Sequence, residues 1–349
     1  MSETPNPIAV SVVIVNYNCK VWVPRCLESL RLQSCIDRIE VIFVDNQSAD
    51  GSDLDAGAEL ARWPNGIFLQ TGANLGFGGG GNAGAKIARG KYLYFLNTDV
   101  WLEPDCIEEL LRCAETQGHG VVGPTMLNYG DDSVQSRGVI GFDIFGFQVD
   151  PRKSDTNPRW FCCASFFFIR RELFDRIGGW DALYFMYGEE MDISWRTWIA
   201  GETLSAAPRA RIHHRGAAFD NPKGGEKVVE LRSNDTKRFC TCRNHLLTLL
   251  KCPQHVLLLL LLPAATLILF EGLAGALWLR RWSFFHNTSL RAFAAAWRMR
   301  DHWRAERARI RGYRRRGDWW MLRFLSPRLN RWHEFRQILK YGMPKVEAR

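Results

Sequence analysis

Short hydrophobic runs alternate with amphipathic stretches over the first two thirds of the chain. Ala9 to Val15 (AVSVVIV) is apolar and β-branched, and Asn16-Tyr17-Asn18 follow directly, so it predicts a strand ending in a polar loop. Cys19 to Gln33 has helical spacing, with Trp22, Leu27 and Leu30 apolar among polar neighbours. Ile39 to Val44 predicts a second strand ending at Asp45, and the turn-rich Asn46 to Ser52 leads into a helix. Ile67 to Gln70 predicts a short third strand, Ala83 to Arg89 the start of a helix, and Tyr92 to Leu96 a buried strand that stops at Asn97-Thr98-Asp99. Cys106 to Thr116 is amphipathic, Val121 to Gly123 predicts a strand ending at Pro124, and Asn128 to Pro158 is polar, glycine-rich and irregular. Phe161 to Ile169 predicts a strongly apolar strand, and Arg170-Arg171-Glu172 opens a helix that stops at Gly178-Gly179. Trp180 to Trp198 then carries Glu189, Glu190 and Asp192 beside bulky aromatics, and Arg211 to Gly216 follows a short strand-like run. This alternation implies an α/β fold, a Rossmann-like and mostly parallel sheet with flanking helices.

An acid at the carboxyl end of a buried parallel strand sits where open α/β sheets place their ligands. Asp99 there is suited to hold a divalent cation, and the cation a diphosphate. The competing reading is that Asn97 to Asp99 only turn the chain while Glu103 and Asp105 lead into the next helix. The run Asn74 to Gly84 (NLGFGGGGNAG) predicts backbone that approaches a ligand closely. Its Gly76-x-Gly78-x-x-Gly81 formally matches a dinucleotide fingerprint, which makes a nucleotide-dependent oxidoreductase a minor alternative. A glycine-rich run satisfies that pattern by chance, and this one follows the third strand rather than the first.

Cysteine and charge narrow the setting. None of the ten cysteines forms a Cys-x-x-Cys pair, so neither a zinc nor a redox framework is readable, and scattered thiols fit a reducing compartment. MSETPNPIAV has no basic region followed by an apolar run, so no signal peptide is read there. Residues 280–349 hold 19 Lys or Arg and 5 Asp or Glu, a net +14 in a chain of net +9, so residues 1–279 carry −5. That basic stretch also holds Trp282, Trp297, Trp303, Trp319, Trp320 and Trp332. Just before it, Val256 to Trp278 is long enough to span a bilayer, although Pro263 and Glu271 interrupt it. A charge at mid-span costs on the order of 3 kcal/mol. Attachment to an anionic membrane surface without full crossing is the preferred reading, with a single span or re-entrant hairpin left open and packing on the rest of the chain a further possibility.

Seven motifs occur together over about 200 residues: VVIVNYN (12–18), VDNQSADGS (44–52), NLGFGGGGNAG (74–84), FLNTDVWLEPD (95–105), IRRELFDRIGGWD (169–181), MYGEEMDISWR (186–196) and RIHHRG (211–216). With them, the chain from about Ala9 to Gly216 resembles the inverting family 2 glycosyltransferases of GT-A fold, particularly the bacterial rhamnosyltransferase-like branch. The resemblance implies a nucleotide diphosphate sugar as donor, with dTDP-rhamnose leading and UDP- or GDP-sugars open. Asn16, Asp45, Asn74, Gly76 and Asn97 match positions around the donor nucleotide. Asn97-Thr98-Asp99 stands where the family carries Asp-x-Asp, with only the last acid kept. The implied cofactor is a divalent cation, Mg²⁺ or Mn²⁺, at Asp99 and His214, with adjacent His213 as the alternative to the histidine.

Inversion needs a base that deprotonates the acceptor hydroxyl as it attacks. The family places it in a Glu-Asp pair, whose second position is Glu190 here, with Asp192 as runner-up. About 200° of helix separates the two, so they do not serve the same atom, and Asp192 is four residues before Arg196, the spacing of an ion pair. Two departures, Ala164 for a frequent Gly and Ala182 after Asp181, fall on the expected acceptor side. The implied acceptor is a lipid-linked or cell-envelope glycan. Trp278-Leu279-Arg280-Arg281-Trp282 has Arg-Trp but no Gln of a Gln-x-x-Arg-Trp motif, so a single-sugar addition is expected rather than processive synthesis.

The expected organisation is a catalytic domain over 1–225 and a helical region over 226–349, with the apolar segment 256–278 and the basic tail 280–349. The expected place is the cytoplasmic face of the inner (plasma) membrane, peripheral or monotopic. The competing class is a non-catalytic protein that binds membrane or nucleic acid through its basic tail. The apolar segment before that tail favours lipid, so no nucleic acid partner is expected.

Overall fold

The structure, a computed structural model, describes residues 7–129, 132–152, 155, 159–163, 166–215, 232–341 and 345–347. Along the chain run β1 (Val10–Asn16), α1 (Val23–Arg31), β2 (Ile39–Asp45), α2 (Ser52–Leu60), β3 (Gly66–Gln70), α3 (Gly76–Ile87), β4 (Tyr92–Asn97) and β5 (Val100–Leu102). Next come α4 (Cys106–Gln117), β6 (Val121–Asn128), β7 (Val134–Ser136), β8 (Gly141–Phe142), β9 (Gln148–Val149), β10 (Phe167–Arg170), α5 (Arg171–Ile177), α6 (Glu189–Ile199) and β11 (Leu204–His214). Then follow β12 (Arg232–Asn234), α7 (Asp235–Lys251), α8 (Leu261–Trp278), α9 (Trp282–Phe285), α10 (Arg291–Arg298), α11 (Arg300–Tyr313), α12 (Asp318–Met321), α13 (Asn330–Tyr341) and β13 (Lys345–Glu347).

These elements fall into two compact units. One is Met1–Gly138, Cys163–Phe185 and Glu202–Glu226; the other is Val139–Cys162, Met186–Gly201 and Lys227–Arg349. The units interleave in sequence, and helix α6 with its three acids groups with the C-terminal helices. The boundary expected after residue 225 lies outside the described residues, as do Ala164 and Gly216.

The first unit is built on one sheet of order β3-β2-β1-β4-β10-β6-β11-β5, with β7 paired to β6. β3, β2, β1 and β4 are parallel, as expected. The sheet as a whole is mixed rather than mostly parallel. β10 runs antiparallel between β4 and β6, β5 is antiparallel to β11, and β7 to β6. The reason for β7 is local: it follows β6 after a few residues, and only a long crossover would make the pair parallel. Val10, Val12 and Ile14 of β1 share a core with Val41 and Phe43 of β2, Tyr94 and Leu96 of β4, Leu27 and Leu30 of α1, and Leu110 of α4. Burial of this much branched and aromatic side chain is the main force holding the sheet to its helices.

The glycine-rich run moves the start of the helix expected at Ala83. It forms helix α3 from Gly76 onward, and its glycines meet protein rather than open space. A methyl on Gly84 would lie 2.5 Å from Val13 and 3.0 Å from Val44, and one on Gly81 would lie 3.0 Å from Trp180. The helix therefore packs on β1 and β2 at a distance that only glycine allows. Trp180 completes that layer, edge-on to Phe77, Phe95 and Phe167. Two strand boundaries also move. β6 continues through Pro124 to Asn128, and among the described residues of Phe161 to Ile169 the strand begins at Phe167 and runs on to Arg170.

In the second unit the buried carboxylate of Asp318 accepts the backbone N–H groups of Gln254, His255 and Leu257, which fixes the entry to the apolar segment. That segment, Leu257–Trp278, is one helix by length and composition able to cross a membrane. Ala264, Ile268, Gly272 and Ala276 form its buried stripe. Leu262, Phe270 and Leu277 on other faces are 76%, 67% and 60% exposed. Glu271 is held by Arg331 of α13 through contacts of 2.6 and 3.0 Å.

Candidate active site

Each unit carries one cluster of the expected residues. In the first unit, β4 delivers Asn97 to its carboxyl end, and Thr98 and Asp99 follow, both buried. Strand β11 reaches the same end because its register sets His214 opposite Val100 and His213 opposite Trp101. Adjacent strand residues point to opposite faces. His214 therefore turns to Asp99, with Nε2 3.5 Å from Oδ2. His213 instead lies between Glu103 and Asp132, at 3.4 and 3.3 Å, against the Trp101 ring. Burial works to raise the Asp99 pKa, but the charge and hydrogen bond of His214, with Arg215 behind it, outweigh that and hold it below the usual carboxylate value.

Gln135, which the sequence reading did not single out, holds the His214 ring. Its Oε1 lies 2.8 Å from His214 Nδ1, which orients the ring so that Nε2 faces Asp99. The two side chains thus present a carboxylate and an imidazole nitrogen side by side. That donor set fits a share of one divalent cation whose other positions go to phosphate and water. Among the described residues no group of three or more His, Cys, Asp or Glu side chains converges as a full metal site.

The donor-side residues are more embedded than their motifs suggest. Asp45 is fully buried and accepts from Asn16 Nδ2 at 2.7 Å, Ser48 Oγ at 2.6 Å and Ser48 N–H at 2.8 Å. Asn16 also reaches Ser52 Oγ at 2.8 Å. Together they shape the loop after β2. Asn74 accepts the Gly76 N–H at 3.0 Å and so opens helix α3. Gly76 itself has φ +70°, and a Cβ there would stand 2.1 Å from the Phe185 carbonyl oxygen, so the position requires glycine.

In the second unit, α6 begins after Gly188, whose φ of +85° makes the sharp entry. Tyr187 before it also has a left-handed φ, +68°. Buried Asn244 of α7 holds this entry by donating to the carbonyls of Met186 and Tyr187 at 2.9 and 2.6 Å. Glu189 and Glu190 occupy the first turn and are half-buried. Glu190 Oε1 accepts from Gln148 Nε2 at 3.0 Å. Burial, then the Glu190 charge, push the Glu189 carboxyl up to about 8, and burial raises Glu190 as well.

Asp192 differs. It is fully buried, bound by Arg196 Nε and Nη2 at 2.9 and 2.6 Å and by the buried Lys251 Nζ at 2.9 Å. The i, i+4 pair with Arg196 was legible in the sequence; Lys251 and Gln148 were not. Asp181 caps the turn Ala182–Tyr184 by accepting from Leu183 N–H.

A mixed sheet flanked by helices, with parallel strands β3, β2, β1 and β4 on one side, has the architecture of the GT-A-like class. Residues 11–178, just under half of the chain, match the family described as glycosyl transferase family 2. The chain's similarity to EpsH of Bacillus subtilis is 41% identity over 32% of this chain and 31% of that protein's length. The N-acetylglucosaminyl-diphospho-decaprenol L-rhamnosyltransferase of Mycobacterium tuberculosis is 28% identical over 59% of this chain and 76% of its own length. The rhamnosyltransferase WbbL of Escherichia coli is 24% identical over 66% and 92%. Two crystal structures share the fold. GalNAc-T7 with UDP, GalNAc and Mn²⁺ has a TM-score of 0.55 at 19% identity over 70% of this chain and 48% of that one. S. aureus TarS 1–349 with UDP has a TM-score of 0.52 at 14% identity over 87% and 89%.

Proposed function

We propose that the chain is an inverting transferase that moves one sugar, L-rhamnose from dTDP-rhamnose, to a hydroxyl of a lipid-linked oligosaccharide or cell-envelope glycan. The observation that carries the reading is Asp99 at the carboxyl end of β4, facing His214 across 3.5 Å in a GT-A-like sheet. The rhamnose and the polyprenyl-diphosphate class of acceptor rest on the names of the mycobacterial and Escherichia coli relatives.

In this reading Asn16 and Asp45 shape the loop that receives the nucleotide, with Asn74, Gly76 and Asn97 beside it. Asp99 and His214 hold a divalent cation, Mg²⁺ or Mn²⁺, which when bound neutralises the departing diphosphate. Glu190 takes the proton of the acceptor hydroxyl while its oxygen bonds to the anomeric carbon and the bond to diphosphate breaks. A raised carboxyl pKa suits that task, because a base poised nearer to neutrality holds the proton it removes. Asp192, bound by Arg196 and Lys251, supports the helix instead.

The exposed leucines and Phe270 of α8, with exposed Trp278 and Trp282 and the basic tail, support contact with an anionic membrane surface. The pairing of Glu271 with Arg331 supports a helix that lies at the interface on the cytoplasmic face rather than one that crosses. The test is nucleotide release by the purified protein from dTDP-, UDP- and GDP-sugars, with Mg²⁺ or Mn²⁺ and polyprenyl-linked acceptor from a lipid extract. Release from dTDP-rhamnose that stops with chelator is expected. Preference for a UDP- or GDP-sugar overturns the donor, and equal rates with free soluble sugars overturn the acceptor.

A further inference from the structure

Gln148 stands on β9, in a stretch of sequence that carries no motif, and its amide is 3.0 Å from Glu190 Oε1. The two-residue hairpin strand is anchored at both ends of its pairing. β9 pairs with β8, and Ile140 N–H donates to the Val149 carbonyl. Asp143 fixes the connecting turn by accepting the backbone N–H groups of Phe145 and Phe147 at 2.9 and 3.0 Å. The amide is thus presented from a braced turn rather than from a loose loop. On the α6 side, Cys162 Sγ and Ser194 Oγ both donate to the Glu190 carbonyl, so the backbone under the carboxylate is also held.

The surroundings make this one bond matter. Glu189 and Glu190 are consecutive, half-buried acids in one helix turn, and among the described residues Glu189 Oε2 is buried without a hydrogen-bond partner. The nearby charges are already committed. Arg196 and Lys251 face Asp192, and on α7 the Cys240 thiol lies close enough to sense the Glu189 charge. Two adjacent carboxyls do not both ionise readily, and burial, then the Glu190 charge, raise Glu189. A donated hydrogen bond favours the charged form of the group that accepts it, and Glu190 is the one that accepts. The protonated partner is then Glu189.

Resting on Glu190 as the base, we propose that Gln148 is its positioning residue: the side-chain amide fixes one oxygen of the Glu190 carboxylate, selects Glu190 over Glu189 as the ionised member of the pair, and leaves the other oxygen for the acceptor hydroxyl. This is the base-and-orienter arrangement of general-base catalysis, with a neutral amide as orienter.

Titration of the protein carrying ¹³C-labelled glutamate side chains, followed by NMR, tests this without any substrate. Glu190→Gln identifies the Glu190 resonance. Gln148→Leu is expected to move its midpoint to higher pH, and Gln148→Asn, whose amide is one methylene short, to do the same while disturbing the hairpin less. In the donor-turnover assay both variants lower kcat most at acidic pH, shift the acid limb upward and leave KM for the donor within about twofold. A Glu190 midpoint unchanged in both folded variants overturns the proposal. Full turnover in Glu190→Gln overturns the base assignment instead, and an NMR shift with that result leaves Gln148 as a pKa-setting contact outside catalysis, which also contradicts the proposal.

Discussion

Asp99 and Glu190 are both carboxylates at the edge of a secondary-structure element, and their surroundings drive them in opposite directions. Asp99, at the end of a strand, has an imidazole 3.5 Å away and a guanidinium nearby, and its proton is lost more easily than usual. Glu190, at the start of a helix, is raised by burial against the hydrogen bond of a neutral amide, and its proton is held more tightly. The first arrangement suits permanent negative charge for a cation. The second suits a group that must take up a proton. The chemistry of a carboxylate site is set by what faces it, and the contrast follows from charge and burial.

Four changes break or sharpen that contrast. The largest effect is expected for Glu190→Gln, which keeps size and hydrogen bonding but removes the base. Transfer should fall on the order of 10³-fold, the range for loss of a positioned general base, with thermal unfolding unchanged. Asp192 is the internal control, a carboxylate two residues on with a structural task. Asp192→Ala leaves Arg196 and Lys251 buried without their counter-charge, and denaturant unfolding should register a loss of about 3–5 kcal/mol. Asp99→Ala should lower turnover by roughly a hundredfold, the weight of several kcal/mol of charge stabilisation, and raise the Mg²⁺ or Mn²⁺ concentration needed for half-maximal rate.

The smallest effect separates Glu189 from its neighbour. Its folded pKa of about 8 lies above the ordinary 4.5, so the folded state binds the extra proton between these values. Stability from this group is present at low pH and declines as pH rises through that window. Glu189→Gln should remove the decline, so the variant gains thermal stability over the wild type above pH 8 and not at pH 4. An unchanged pH dependence of unfolding would place the proton elsewhere.

The parallel strands, the end of β4 and the acids of α6 were legible because strand runs and helix spacing are local properties of sequence. The motif match put His214 before His213, but that His214 faces Asp99 while His213 lies between Glu103 and Asp132 depends on which face of β11 each takes, a matter of register with β5. The packing role of the glycine run was hidden for a related reason. Glycine permits close approach, but the sequence does not say to what, and here the approach is to Val13, Val44 and Trp180. Gln135 and Gln148 carried no signal at all. Each lies in a two- or three-residue strand of a segment that reads as irregular, and each acts on a residue tens of positions away. The antiparallel insertion of β10 was equally hidden, since an apolar run does not encode its direction.

The measurement that bears most directly on this account is the pH dependence of sugar transfer from dTDP-rhamnose to a polyprenyl-linked acceptor, in the wild type, Glu190→Gln and Asp192→Asn. The account predicts a wild-type rate that rises with pH through a carboxyl pKa above 4.5, no such rise in Glu190→Gln, and the wild-type limb retained in whatever Asp192→Asn protein remains folded. Wild-type transfer by Glu190→Gln, or loss of the limb in folded Asp192→Asn alone, would contradict it.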